Sequence, residues 1–314
     1  MTYVYYLLLL VTSFLWAGNF VVSKLIVEHA SPMTLTSLRW IIAVICLIPI
    51  VWWKEKKMIP PKEAWLPLFF MGLTGVVLFN LFQFLAVKHT TATNVGLITT
   101  LNAISIAVFS SFFLKEKIMF LQISAMMFSF FGVLLVLTKG NVDMLVSFQF
   151  NKGDVIMLAA VGVWGLYSVC SKWATTKVSP LLATLYAGIF GLIILIPLNA
   201  PTFSVTNVNG EFVSAILYTG VVSTVVCMVL WSVGVKHLGA TAAGIFMNFN
   251  PVFTSFLAYI FLGEQMTNVQ LVGAVIVIIG CYFFSQWKNK QLIKGKKKMS
   301  FHLTNRPRNI DANL

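Results

Sequence analysis

The chain has 314 residues, of which 59% are hydrophobic and 10% charged, with a formal net charge of +13 and a mean hydropathy of +0.89. A soluble domain carries about 25% charged residues, so this composition excludes a water-soluble protein and leaves no length for a separate soluble domain. The basic residues form no folded basic domain, which argues against nucleic acid as a partner.

Crossing the hydrocarbon core takes roughly 20 apolar residues as a helix. In chain order such runs fall at about 3–24, 33–53, 66–87, 91–114, 118–138, 153–173, 180–199, 212–235, 240–262 and 267–287. Lipid offers no partners to open backbone groups, so helices are expected; the runs are too uniformly apolar for the alternating strands of a barrel. The pattern predicts an all-α membrane protein with ten transmembrane helices. The first run lacks a basic n-region and a small-residue cleavage site, and reads as a retained helix. Residues 288–314 turn polar, with Lys294, Lys296, Lys297 and Lys298 in one cluster, and predict a disordered basic tail. Cys46, Cys170, Cys227 and Cys281 all lie inside apolar runs, at spacings of neither a metal site nor a disulfide framework. With no Walker sequence and no His and Asp cluster at one interface, no cofactor, metal or enzymatic activity is expected.

The second half repeats the first at an offset of 148 residues. Trp16 is answered by Trp164, Ser23-Lys24 by Ser171-Lys172, Ser31-Pro32 by Ser179-Pro180 and Gly72 by Gly220. Further on, Gly96 is answered by Gly244, Asn102 by Asn250, Glu116 by Glu264, Gln122 by Gln270 and Gly132 by Gly280. Two five-helix units follow, at 1–140 and 151–287. With the N-terminus in the cytoplasm, 17 of the 22 lysines and arginines fall on the cytoplasmic side, so the positive-inside rule places both termini there. An odd number of helices per unit makes the second unit insert upside down. The loop charges agree: the loop after the second helix carries four lysines, while its counterpart at 200–211 carries none. Inverted repeats suit alternate opening to two sides of the membrane.

The segment Asn250-Pro-Val-Phe-Thr-Ser-Phe-Leu-Ala-Tyr-Ile-Phe-Leu-Gly-Glu264, followed by Gln270-Leu-Val-Gly273 and Gly280, resembles the EamA-type family of the drug/metabolite transporter superfamily. Trp164-Gly165 with Lys172, and Trp16-Ala-Gly-Asn19 with Lys24, look like the family's paired opening helices. Ala103 stands where the second unit has Pro251, and Lys115-Glu116 where it has Gly263-Glu264. The resemblance covers about 3–287 and implies a multi-pass carrier of small organic solutes, often outward.

Polar side chains inside a membrane tend to face the bundle interior or a wet cavity. The expected binding site therefore takes Trp16 and Asn19 from helix 1, Asn80 and Gln83 from helix 3, and Thr99 and Asn102 from helix 4. From the second unit it takes Trp164 and Tyr167 from helix 6, Trp231 from helix 8 and Asn250 from helix 9. Symmetry breaks at Asn19 against Tyr167, Asn80 against Met228 and Gln83 against Trp231, which suits an amphipathic solute. Lys24 and Lys172 are placed to attract a carboxylate at the two mouths or to snorkel to headgroups. Arg39, without a charged counterpart, is a weaker anion candidate, and Glu116 reads as a gate or as an ion-pair partner of a neighbouring lysine. No Asp or Glu lies at mid-membrane depth, which points to exchange or facilitated transport rather than carboxylate-coupled proton antiport. The expected function is export of an amino acid or related metabolite across the cytoplasmic membrane of a bacterium, with the lipid bilayer as surroundings. A multidrug or nucleoside carrier stays open, as does a sensor or scaffold that keeps the fold without transport, and a homodimer is left open.

Overall fold

Each unit begins its second helix with Ser-Pro, and both serines act alike. Ser31 Oγ accepts from Thr34 N at 3.2 Å and Ser179 Oγ from Leu182 N at 3.1 Å, with proline in the first helical turn, where its missing N–H costs nothing. In the computed structural model of the chain, which describes residues 2–26, 28–55, 57–87, 89–90, 95, 98–141, 143–146, 151–262 and 265–304, these caps open α2 (Pro32–Lys54) and α7 (Pro180–Asn199). The other helices are α1 (Thr2–Ile26), α4 (Asn102–Phe113), α5 (Phe120–Thr138), α6 (Lys152–Thr175) and α10 (Asn268–Thr304). Three more are composite. In α3, Lys62–Met71 and Phe79–Val87 flank a π-helical segment, Gly72–Leu78. In α8, Gly210–Leu217 and Cys227–Leu238 flank another, Tyr218–Val226. In α9, Ala240–Gly244 and Phe249–Leu262 flank a 3-10 segment, Ile245–Asn248. Among the described residues the isolated bridge Ala30–Val205 is the sole extended pairing.

Among the described residues eight stretches are long and apolar enough to cross a membrane, and two shorter apolar helices, Tyr3–Asn19 and Asn102–Phe113, occupy the positions of the first and fourth expected spans. The surface is apolar as lipid requires, with Phe112, Phe120, Ile193 and Phe261 exposed. Trp52 and Trp53 beside Lys54 form an interfacial anchor. α10 continues through the lysine-rich segment to Thr304, where composition had suggested disorder; lysine and glutamine are good helix formers and the segment extends a helix already nucleated.

The 148-residue offset reappears in the packing. A Cβ on Gly132 would lie 2.7 Å from Gly273 O, and one on Gly280 would lie 2.9 Å from Ala125 O. These two contacts exchange under the offset and show α5 and α10 running antiparallel at nearly backbone-to-backbone distance. The start of α2 likewise meets the end of α7, where Asn199 Nδ2 donates to Ser37 Oγ at 3.3 Å. A Cβ on Gly72 would meet Ala187 O at 2.6 Å, and one on Gly220 would meet Arg39 O at 3.2 Å, so α3 packs on α7 as α8 packs on α2. Equivalent helices thus face each other in opposite directions. The first turns of α5 and α10 repeat one device: Gln122 Oε1 accepts from Met119 N at 2.9 Å and Gln270 Oε1 from Thr267 N at 3.0 Å.

The loops collect at two ends. One end joins Thr206 N to His29 O at 2.7 Å and Asn151 Nδ2 to Thr90 Oγ1 at 3.0 Å. The other joins Glu116 to the start of α9 and the end of α6 to the end of α8.

Candidate functional site

The two π-helical segments sit at equivalent places and end at the equivalent residues Leu78 and Val226. A π turn disturbs the regular ladder and needs outside partners for its backbone groups. In α8 the Ser223 carbonyl accepts from Trp16 Nε1 at 3.0 Å. The equivalent carbonyl in α3, Gly75 O, lies 3.4 Å from Asn80 Nδ2, which also donates to Val76 O at 2.8 Å. Trp164, the counterpart of Trp16, points its Nε1 at Met247 Sδ, 3.1 Å away in the 3-10 segment of α9. The same backbone problem is therefore solved differently in the two halves, while both tryptophans join one aromatic cluster.

That cluster is the centre of the candidate site. The Trp16 and Trp164 rings meet edge-on at 5.9 Å, so the two equivalent tryptophans touch across the relation that exchanges the halves. Trp231 closes a triangle, 5.6 Å from Trp16 and 6.1 Å from Trp164. Phe79 and Tyr167 flank Trp164 at 4.8 Å and 4.9 Å. Trp164, Tyr167 and Trp231 are buried, while Trp16 is half-buried. Tyr167 lies against Gly75, where a Cβ would sit 2.2 Å from the ring, and its hydroxyl points to Met228 Sδ at 3.9 Å. The three second-half residues at which symmetry breaks, Tyr167, Met228 and Trp231, are thus all in or against this cluster.

The polar candidates divide in two. Asn80 is buried and turned onto its own helix. Asn19, Asn102 and Asn250 each hold a buried Oδ1 that has no hydrogen-bond partner among the described residues, and so does Trp231 Nε1. An unmade hydrogen bond on a buried group costs roughly 1–3 kcal/mol, which makes these four atoms candidates for binding a group that supplies donors and an acceptor. Asn19, Gln83, Thr99 and Asn250 keep partial exposure.

Three features complete the surroundings of the candidate site. The 3-10 stretch of α9 precedes Pro251, which cannot donate to the carbonyl four residues earlier. Two of the nearby carbonyls are taken by other helices, Phe246 O by Ser13 Oγ at 2.8 Å and Ile245 O by Cys281 Sγ at 3.5 Å. In the first unit, turn residues Thr100 and Leu101 precede α4 at the equivalent place although Ala103 replaces the proline. Glu116 accepts from Ala240 N at 2.9 Å and Thr241 N at 3.3 Å, so the carboxylate caps the positive end of α9 rather than pairing with its neighbouring lysine. Gly239, at φ +94, leaves room for it. The position of Glu264 lies outside the described residues, as does the side chain of Lys24. Finally, a cavity of about 760 Å3 opens at the end of the molecule bearing Glu55, Lys57, Lys172, Lys177 and Lys236. Among the described residues no group of three or more His, Cys, Asp or Glu could hold a metal ion.

A duplicated, wholly helical bundle with a lipid-exposed apolar surface and an aromatic centre between its halves defines a multi-pass integral membrane transporter. The family model of EamA-like transporters matches residues 4–138 and 151–286, one match to each half. The chain belongs to this EamA-like transporter family, within the drug/metabolite transporter superfamily. It is 30% identical over 279 residues to an uncharacterized transporter of Archaeoglobus fulgidus, covering 88% of this chain and 96% of that one. It is 28% identical to the uncharacterized transporter YyaM of Bacillus subtilis, over 88% and 91% of the two chains. A solved crystal structure superposes with a TM-score of 0.75 at 18% identity, covering 90% of this chain and 97% of the other, a likeness of fold.

Proposed function

We propose that the protein is a secondary carrier that exports a small amphipathic organic solute, an amino acid or related metabolite, by alternating access. Its two units, 1–140 and 151–287, rock as inverted five-helix bodies about the aromatic centre, with ten helices spanning the bilayer and residues 288–314 forming a basic appendage. The observation that carries this reading is the edge-on meeting of the equivalent residues Trp16 and Trp164 at 5.9 Å. A pair related by the repeat can touch only near the axis that exchanges the halves, which is where a solute must sit to be reached from both sides. The buried oxygens of Asn19, Asn102 and Asn250, without partners among the described residues, support a polar recognition role. The lysine-rich end is assigned to the cytoplasm, which puts both termini there in a plasma membrane.

The test is an efflux and resistance screen. Cells overproducing the protein are challenged with amino acids, amino-acid analogues, nucleosides and cationic drugs, and wild type is compared with Asn102→Ala, Gln83→Ala and Trp164→Ala. One solute class is expected to show wild-type-dependent efflux that falls at least ten-fold in Trp164→Ala. Transport by all three variants at the wild-type rate would refute the site, and efflux of no solute would refute the carrier.

A further inference from the structure

The cavity at the lysine-rich end lies outside the aromatic centre, and its lining is chemically one-sided. Lys57, Lys172, Lys177 and Lys236 face a single carboxylate, Glu55. A concave surface lined mainly by one sign of charge raises the local concentration of oppositely charged groups. Lys172 does not simply reach for headgroups: its Nζ donates to the Lys236 carbonyl, which fixes the ammonium in the wall between α6 and α8. Ile59, Pro61, Val178 and Leu182 add apolar surface and Thr175, Thr176 and Ser179 add hydroxyl-bearing residues, so the cavity offers positive charge next to both apolar and hydrogen-bonding groups.

The same two helices lead inward. Lys172 follows Trp164 by eight residues on α6, about 12 Å along the axis, and Lys236 follows Trp231 by five on α8, about 7.5 Å. Between them the two helices are joined by the buried pair Ser171 and Ser232, Oγ to Oγ at 3.4 Å. A molecule with an anionic group and an apolar body roughly 8–12 Å apart, by the same helix rise, spans the distance from lysines to indoles.

We propose that this cavity is the recruitment site for the anionic group, carboxylate or phosphate, of an amphipathic organic solute whose apolar body is passed to the Trp16, Trp164 and Trp231 cluster. The proposal rests on the carrier reading and narrows its substrate to organic anions and zwitterions that present their anionic end first. A lipid phosphate carries the same chemistry, and the experiment separates the two sources.

The probes are radiolabelled 5-phenylpentanoate and 5-phenylpentylamine, which share an apolar body and differ in charge. Binding to the full chain is measured in nanodiscs of phosphatidylcholine and of phosphatidylglycerol. One lysine at about 4 Å in water contributes about five-fold in affinity. The carboxylate is therefore expected to bind at least ten-fold more tightly than the amine in phosphatidylcholine, with the margin shrinking in 0.5 M salt. The double variant Lys57→Gln, Lys177→Gln alters two exposed side chains and is expected to lower carboxylate binding by about five- to twenty-five-fold while leaving amine binding no weaker. Retention of this preference in phosphatidylglycerol supports a free solute as the ligand. Its loss there, with the variant effect intact in phosphatidylcholine, supports the same anion site with a lipid headgroup as occupant. Equal binding of the two probes, or a preference that the double variant leaves untouched, overturns the proposal. Counterflow of 5-phenylpentanoate in proteoliposomes keeps the two readings apart. Binding without counterflow counts against the carrier alone, and counterflow without charge preference counts against the anion site alone.

Discussion

Gly75→Ala adds one methyl group at the point where α3 meets the aromatic centre. The new Cβ would lie 2.2 Å from Tyr167 Cδ2, 2.6 Å from Cε2 and 2.9 Å from Cγ. Reaching even a 3.4 Å contact requires the ring to retreat by about 1.2 Å, and the atoms in the way belong to a rigid ring rather than to the far end of a flexible chain. Tyr167 has nowhere to go: it is fully buried, with Trp164 at 4.9 Å behind it. Alanine is favoured over glycine in a helix by about 1 kcal/mol, and overpacking a well-filled core costs about 1–3 kcal/mol. With three ring atoms below 3.0 Å the upper end of that range applies, for a net loss of about 2 kcal/mol. Equilibrium unfolding in mixed detergent and SDS should register this loss, together with a shift in tryptophan fluorescence. In a Tyr167→Ala background the ring is gone, and Gly75→Ala should become neutral or stabilising, a coupling of about 2–3 kcal/mol. A neutral Gly75→Ala in the wild type, or additive effects in the double variant, would refute the packing described for the centre.

Further outcomes follow from the same geometry. Glu116→Ala removes the acceptor for Ala240 N and Thr241 N and should destabilise by about 1–2 kcal/mol, with Glu116→Gln losing roughly half as much because it keeps an acceptor; thermal denaturation ranks the three. Gly132→Ala sets a methyl 2.7 Å from the Gly273 carbonyl and must part α5 from α10, so it should cost about 1–3 kcal/mol even though alanine is the better helix former. Asn102→Ala removes a buried oxygen that has no partner among the described residues, so stability should change by less than about 1 kcal/mol while solute efflux drops at least ten-fold; equal losses in both would reassign Asn102 to helix packing.

Much of this organisation is legible in the residues. Hydrophobic runs place most of the helices to within a few residues because a bilayer sets their length, the exceptions being the fourth, which starts at Asn102, and the tenth, which continues to Thr304; the 148-residue offset anticipates which glycines, caps and tryptophans correspond. Of the ten candidate site residues read from the sequence, Trp16, Trp164, Tyr167 and Trp231 lie in contact with one another. What periodicity cannot reveal is the backbone departure. The π segments of α3 and α8 leave no clear mark beyond Gly72 and Gly220, yet they decide that Asn80 serves its own helix and that Trp16 serves α8. The role of Glu116 was hidden because its partner lies 124 residues away, although Gly239-Ala240-Thr241, a glycine before a new helix, marks an end in need of an acceptor. The lysine-lined cavity was hidden for the same reason, since it joins side chains from three separate segments.

The most direct test of alternating access uses reciprocal accessibility. In a variant whose native Cys46, Cys170, Cys227 and Cys281 are replaced, single cysteines are introduced at the exposed Thr176, in the lining of the lysine-rich cavity, and at Thr206, in the loop contact with His29 at the opposite end. Each is labelled in oriented proteoliposomes with a membrane-impermeant thiol reagent, with and without a transported solute. Rocking of two inverted halves about the aromatic centre predicts that the solute changes the two labelling rates in opposite directions, and that Trp164→Ala abolishes both changes. Rates that move together, or that ignore the solute, would contradict it.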